Sequence, residues 1–160
     1  MKYCLDSSAL IGLGERHYPE HIPVFAPIWK SLYEGIEQGT ILSVDYVKIE
    51  LEGKAANWRE SFLAKANGMF LMDVEIEHEY ATLIQGIESD SAFRANGHRK
   101  RFMSGADPWV IATARRIGEC TVVSSETKSL TDYGMGAVCK HLGVPHLPLI
   151  DFIAATTKIA

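Results

Sequence analysis

Cysteine is scarce in this sequence, and long apolar runs are missing from it. The three cysteines Cys4, Cys120 and Cys139 show no C-x-x-C spacing and lie among apolar neighbours, so we expect buried reduced thiols rather than disulfides or a zinc site. No stretch approaches the roughly 18 to 20 apolar residues of a membrane span, and no basic stretch followed by an apolar segment opens the chain. These absences predict a cytoplasmic protein with no membrane partner.

An excess of positive charge is also lacking. The formal net charge of the 160 residues is −4, which argues against a protein that coats nucleic acid by bulk attraction. A local basic patch can still hold a phosphate chain. Repeats, low-complexity tracts and Pro-rich or Gly/Ser-rich linkers are missing as well. With 47% hydrophobic residues, the composition predicts one globular domain over residues 1–160.

The chain does contain a regular alternation of short apolar runs and amphipathic stretches. The run at 120–124 is uncharged and mostly apolar, which is typical of a strand inside a parallel sheet covered on both faces. Strands are predicted at 2–5, 40–43, 69–72, 120–124 and 146–147, and helices at 25–36, 44–53, 55–66, 74–87, 107–118, 135–142 and from 149 onwards. This order predicts an α/β fold, a three-layer α/β/α sandwich around a central parallel sheet of four to five strands.

The segment 89–105 is polar and is predicted to be largely exposed loop, with a turn at 96–97. It carries a basic run that includes Arg99, Lys100 and Arg101, just before Asp107 in the chain. Such a run is usually only solvated. It can also hold RNA phosphates on the approach to an acidic pocket, so both interpretations stay open.

Three tryptophans are candidates for contact with nucleic-acid bases. Trp29, Trp58 and Trp109 all lie at positions that keep a helical period. An aromatic side chain at such a position more often packs in the core than stacks on a ligand. We therefore expect these rings to be part of the hydrophobic packing.

Four acidic residues are the main candidates for chemistry. The loops after the carboxyl ends of parallel strands converge on one crevice, so Asp6 and Glu126, each following a predicted strand, can face the same space. Asp107 begins the helix before the later strand, and local geometry alone does not place it there. Glu50 lies on the helix at 44–53. Simpler interpretations remain. Asp6 can be an ordinary turn or cap residue, and Asp107 a helix cap, which the Asp-Pro pair favours. Glu126 can cap whatever follows the strand, and Glu50 can be a solvated surface residue.

Carboxylates gathered within a few ångströms repel one another unless a hard divalent cation neutralises them. Magnesium or manganese meets that need. Two such ions about 3.5 to 4 Å apart can activate a water and stabilise the leaving oxygen when a phosphodiester is cut. A cluster of these four acids therefore predicts metal-dependent phosphodiester hydrolysis.

Four stretches of the chain carry a resemblance to a known family. They are Y-C-L-D-S-S at 3–8, V-x-I-E-L at 47–51, A-D-P-W-V-I-A-T-A at 106–114 and V-V-S-S-E at 122–126. The block at 106–114 is the most specific of them. Together they resemble the PIN-domain ribonucleases, and more closely a PIN-like branch grouped with VapC-type bacterial toxins, from residue 3 to about 152.

The resemblance implies a magnesium-dependent endoribonuclease in which Asp6, Glu50, Asp107 and Glu126 are catalytic. It implies that Asp6, Asp107 and Glu126 are metal ligands, and that Ser7 and Ser124 orient the acids or a water. Glu126 departs from the commonest pattern, which has Asp at that place. The same likeness implies an RNA substrate, a small antitoxin as partner and a homodimer.

Two other functions compete with the ribonuclease. A phosphatase with Asp6 as nucleophile normally shows a D-x-D pair, whereas Ser8 stands at the second position here. A catalytically degenerate PIN fold that binds RNA or a protein without cutting is the non-enzymatic alternative. Metal binding and RNA cleavage distinguish the three.

Overall fold

The computed structural model describes residues 1–53, 57–125 and 133–159. A five-stranded parallel sheet lies at its centre, with the strand order β3-β2-β1-β4-β5. The strands are β1 Lys2–Leu5, β2 Ile41–Val44, β3 Phe70–Leu71, β4 Cys120–Ser124 and β5 His146–Pro148. All five lie within one residue of the predicted runs. The first strand in the chain therefore occupies the middle of the sheet.

Helices cover the sheet, and the structure is the predicted α/β/α sandwich around a parallel sheet. Every residue of β2 and of β4 is buried, as expected for strands packed on both faces. Within the described ranges the α-helices are α1 Ser7–Ile11, α2 Ala26–Glu37, α3 Asp45–Glu52, α4 Asn57–Ala66, α5 Val74–Ser89, α6 Gly97–Ser104, α7 Asp107–Ile117, α8 Met135–Leu142 and α9 Leu149–Thr156.

The prediction of an exposed loop over 89–105 is wrong in its second half, where the chain forms α6. The helix starts because the side-chain oxygen of Asn96 accepts hydrogen bonds from the backbone N–H groups of His98 and Arg99, at 3.0 and 3.1 Å. Asn96 is therefore a helix cap, not the first residue of a turn. The basic residues Lys100 and Arg101 accordingly project from a helix.

The start of α7 also differs from the prediction by one position. Ala106 is the cap residue, Asp107 is the first helical residue, and Pro108 follows it. Proline is tolerated in the first turn because its missing N–H would have had no partner within the helix. Asp107 thus lies in the first turn, where a negative charge is favoured by the helix dipole.

The hydrophobic side chains and the thiols are placed as predicted. Trp29 is 2% exposed, and Trp58 and Trp109 are half-buried against the core. Cys4, Cys120 and Cys139 are buried free thiols. In the part of the chain that the structure describes, no helix combines the length and the hydropathy needed to cross a membrane.

Candidate functional site

Asp6 lies directly after β1, at the carboxyl edge of the sheet, and is only 2% exposed. Its backbone N–H donates to the carbonyl oxygen of Val123 in β4 at 3.0 Å, which continues the pairing of the two strands. Its carboxylate Oδ1 accepts from the N–H of Ala9 at 2.8 Å and thereby caps α1. The capping interpretation is therefore correct for Asp6, and it fixes the carboxylate at the end of the central strand.

Two serines that were not among the predicted site residues connect Asp6 to the end of β4. The hydroxyl of Ser8 donates to Asp6 Oδ1 at 2.8 Å and accepts from the backbone N–H of Ser125 at 3.0 Å. These contacts join the chain after β1 to the chain after β4. The sequence gives one hint of this link, because each strand is accompanied by two serines. Ser7 and Ser8 come shortly after β1, and Ser124 and Ser125 stand at the end of β4.

Glu50 brings three helices together through its carboxylate. Oε2 accepts from the hydroxyl of Ser7 in α1 at 2.5 Å, and Oε1 accepts from the backbone N–H of Ala106 at 2.9 Å. Ala106 is the cap of α7. Glu50 itself is on α3, and its side chain thus holds the residue after Asp6 and the residue before Asp107 at one place.

The fold carries Asp107 to the same edge of the sheet as Asp6. Helix α7 ends next to the start of β4, where the carbonyl oxygen of Glu119 accepts from Lys2 N at 3.2 Å. Its 11 residues extend about 16 Å, which is about the length of a five-residue strand. The helix therefore begins at the carboxyl edge, where Ala106 meets Glu50. The structure therefore places Asp107 at the same edge as Asp6, which local sequence geometry alone did not predict.

The donor atoms at this edge are carboxylate and hydroxyl oxygens from Asp6, Glu50, Asp107 and the neighbouring serines. This chemistry fits a hard divalent cation such as Mg²⁺ or Mn²⁺. Among the described residues, no three Asp, Glu, His or Cys side chains form a group that would hold a metal by themselves. Glu126, the remaining predicted ligand, lies outside the described residues, and Ser125 is the last described residue before it.

Ser124, predicted to orient an acid or a water, has a histidine partner. Its hydroxyl lies 2.7 Å from Nε2 of His146, the first residue of β5. Ser124 is fully buried, so this contact lies inside the carboxyl edge of the sheet. Sequence reasoning had placed His146 on a strand without giving it a role.

The basic residues predicted to contact RNA lie on α6, which leads to the site. Lys100 and Arg101 are exposed, and Arg99 is half-buried. Only Gly105 separates the end of α6 from Ala106, the residue whose N–H binds Glu50. A positively charged helix surface therefore lies next in the chain to the acidic edge.

Comparison with known proteins matches the chain to a family. The model of a family described as a domain of unknown function, DUF4411, matches residues 3–158. No curated protein and no solved structure matches the chain significantly. The match covers the sheet except for Lys2, the first residue of β1, and it includes Asp6, Glu50 and Asp107.

Proposed function

We propose that the chain, which belongs to the DUF4411 family, is a magnesium- or manganese-dependent endoribonuclease. The observation that carries this proposal is the Glu50 bridge. Its contacts with Ser7 and Ala106 hold the neighbours of Asp6 and Asp107 together at the carboxyl edge of a parallel sheet. Ligands of α/β sheets bind at that edge.

We assign Asp6 and Asp107 to the principal cation, with Glu126 as the ligand of a second one. Glu50 keeps the two aspartate-bearing segments in place. A divalent cation there would supply Lewis-acid activation of water and neutralise charge on the phosphate. Ser8 fixes the orientation of Asp6, and Ser7 fixes that of Glu50, so both acids are held before any substrate arrives.

The resemblance to VapC-type toxins extends this proposal to partners. A small antitoxin would cover the acidic edge, and the enzyme would act as a homodimer. Both expectations rest on the likeness of the sequence stretches and not on the geometry. Co-expression with the product of an adjacent small reading frame tests the first, because a true antitoxin would co-purify and suppress RNA cleavage.

The central test uses the variants Asp6→Asn and Asp107→Asn. Asparagine keeps a side-chain oxygen that can accept from Ala9 N–H and Ser8, so the cap of α1 is retained while the charge is removed. We expect purified protein to cleave single-stranded RNA with Mg²⁺ or Mn²⁺ and to stop when EDTA is added. Each variant should be slower by about a hundredfold or more, the scale of a lost electrostatic contact to a transition state.

Asp73→Asn is the matched control for Asp6→Asn. Asp73 also caps a helix that follows a strand, and its carboxylate accepts from the N–H of Ile76 at 2.7 Å. It is exposed and opens α5, which is not one of the three helices that Glu50 joins. Cleavage by this control should match the wild type. If Asp6→Asn and Asp107→Asn also match it, after identical purification, the nuclease proposal is refuted.

A binding module that does not cut RNA is the second candidate. The specific observation in its favour is that both carboxylate oxygens of Glu50 and Oδ1 of Asp6 accept hydrogen bonds from the protein itself. Acids used in this way can be purely structural. Calorimetry separates the two candidates, since RNA binding without detectable binding of Mg²⁺ or Mn²⁺ would favour the module.

A further inference from the structure

Three aromatic rings from three helices form a continuous stack beside the acidic edge. The ring of Trp109 lies 4.4 Å from that of Tyr46, with 10° between their planes, and 3.7 Å from that of Tyr80, with 4°. Tyr46 is on α3, Trp109 on α7 and Tyr80 on α5. Such near-parallel contacts fix the orientation of all three rings.

The two tyrosines lie on opposite faces of Trp109. If Tyr46 and Tyr80 lay on the same face of Trp109, their two rings would occupy the same plane above it. At 4.4 and 3.7 Å from the Trp109 ring they would then overlap each other. Trp109 is therefore enclosed on both faces, which agrees with the expectation that it packs rather than binds a base. Tyr80 is half-buried, and burial raises the pKa of its phenol, with a smaller contribution from Tyr46.

Tyr46 is the outer ring of the stack and is 40% exposed. It stands two residues after the end of β2, at the carboxyl edge of the sheet. It also precedes Glu50 by four residues on α3, so the two side chains lie on the same face of that helix. Trp109, which supports its inner face, is in the same helical turn as Asp107. The exposed ring of Tyr46 is thus held near the acidic edge by α3, which carries Glu50, and by α7, which carries Asp107.

We propose that the ring of Tyr46 is a stacking platform for one unpaired nucleobase of RNA next to the cleaved phosphate. This inference rests on the proposed function for its choice of ligand. A flat ring held by Trp109 loses little freedom when a base covers its outer face, and base–aromatic stacking tolerates any base sequence. The basic surface of α6, with Lys100 and Arg101, would hold the neighbouring phosphates.

The test measures equilibrium binding of a fluorescent single-stranded RNA of about ten nucleotides, within the site sizes of known single-strand binders. EDTA is present, so that cleavage is blocked. Tyr46→Phe keeps the ring and should bind within about twofold of the wild type. Tyr46→Leu keeps apolar bulk without the ring and should bind roughly tenfold more weakly, as loss of one base–aromatic stack predicts. Circular dichroism confirms that both variants are folded.

A second measurement uses the wild-type protein alone and RNAs with one abasic position each. One position should weaken binding by about the same factor as Tyr46→Leu, because the same stack is lost. Equal affinities of the wild type and Tyr46→Leu for RNA would overturn the platform. It would also be overturned if every abasic RNA bound as tightly as the intact strand, or if the wild type bound no single-stranded RNA. If the platform is found but RNA is never cut with Mg²⁺ or Mn²⁺, only the nuclease proposal fails.

Discussion

At the scale of single residues, Glu50 is an exposed side chain whose two oxygens nevertheless reach two other helices. Its contacts with Ser7 and Ala106 cross 43 and 56 residues of chain, respectively. A solvated glutamate contributes little to stability or geometry, whereas one that accepts two such hydrogen bonds sets the distance between the segments that donate them. In the proposed enzyme, Glu50 is therefore a positioning residue for Asp6 and Asp107.

Glu50→Ala should reduce RNA cleavage by about a hundredfold, because small misplacements of reacting groups have effects of that size. The free energy of unfolding should fall by about 1 to 3 kcal/mol, because two hydrogen bonds are lost and each has a usual net value of about 0.5 to 1.5 kcal/mol. Glu50→Gln keeps an acceptor for the N–H of Ala106 and should lie between Glu50→Ala and the wild type in activity. Cleavage rates and urea unfolding measure the two effects separately.

Glu52→Ala is the control on the same helix. Its carboxylate lies 3.8 Å from the ammonium of Lys48, a surface pair that contributes at most a few tenths of a kcal/mol. Activity should be unchanged. Equal loss of activity in the Glu50 and Glu52 variants would show that the Glu50 bridge has no special part in the site.

The residues of the candidate site differ in how far the sequence could predict them. Asp6 and Asp107 stand at recognisable local positions, a strand end and an Asp-Pro helix start, and the structure places both at those elements. Glu50 shares its helix with Asp45 and Glu52, and its contacts with Ser7 and Ala106 distinguish it from them. Ser8 was missed because its role depends on Ser125, which is distant in the chain.

At the scale of secondary structure, α6 changes the interpretation of the basic run. Residues on a capped helix keep a fixed spacing, so their charges form a surface and not a variable loop. Strand positions were predictable because continuous apolar runs have few alternatives. Helix α6 was not, because it buries little besides Phe102 and its start depends on the side chain of Asn96.

Replacing Lys100 and Arg101 together by Gln should weaken the binding of single-stranded RNA several-fold at low salt. The logarithm of the binding constant should also become less dependent on salt, by about 0.7 in slope for each lost phosphate contact. The cap of α6 stays intact because Asn96 is unchanged. Anisotropy titrations across a range of salt concentrations measure both quantities.

Replacing Arg115 and Arg116 by Gln removes the same charge from the other end of α7. These guanidinium groups pair with Glu79 and Glu75 of α5, far from the acidic edge. The salt dependence of RNA binding should not change. Matching losses in the two double variants would mean that RNA responds to net charge alone and that α6 has no local role.

At the scale of the whole molecule, the sheet encloses thiols from two adjacent strands. Burial raises the pKa of Cys4 well above its ordinary value, with smaller contributions from Cys120, Asp6 and Cys139. Burial also raises the pKa of Cys120 to about 11, against a small opposing effect of Lys2. Both thiols therefore stay protonated in the folded protein well past the pH at which they ionise in the unfolded chain.

The free energy of unfolding should consequently fall as the pH rises from about 9 to about 11. Below the ordinary thiol pKa of 9.0, both states are neutral and the stabilisation is complete. Above it, the unfolded thiols lose protons that the folded ones retain, which favours unfolding. Urea unfolding over this range, compared with Cys120→Ala, gives the contribution of that thiol.

The Cys120→Ala variant should lose less stability across this range than the wild type. Other groups titrate over the same range in both proteins, so the comparison isolates Cys120. Rapid reaction of the native protein with a thiol reagent would contradict the burial on which the prediction rests.

The alternation of apolar runs and amphipathic stretches predicted the fold class. It did not predict which strands are neighbours in the sheet. Pairing of β1 with both β2 and β4 is decided by where the connecting helices pack, and apolar periodicity carries no information on that. The contacts around Asp6 depend on this pairing, since Val123 lies in β4 and Ser125 directly follows that strand. For this reason the individual hydrogen bonds of the candidate site were beyond sequence analysis.

The central place of β1 also affects the order in which the sheet can form during synthesis. The hydrogen bond between Ser8 and Ser125 spans 117 residues, so β1 leaves the ribosome long before its neighbour β4. Until then one edge of β1 has no partner strand, and such edges are prone to wrong association. Asp6 and Asp107 reach the same edge only when α7 and β4 have joined the sheet, so the proposed site cannot assemble before both of these segments have been synthesised.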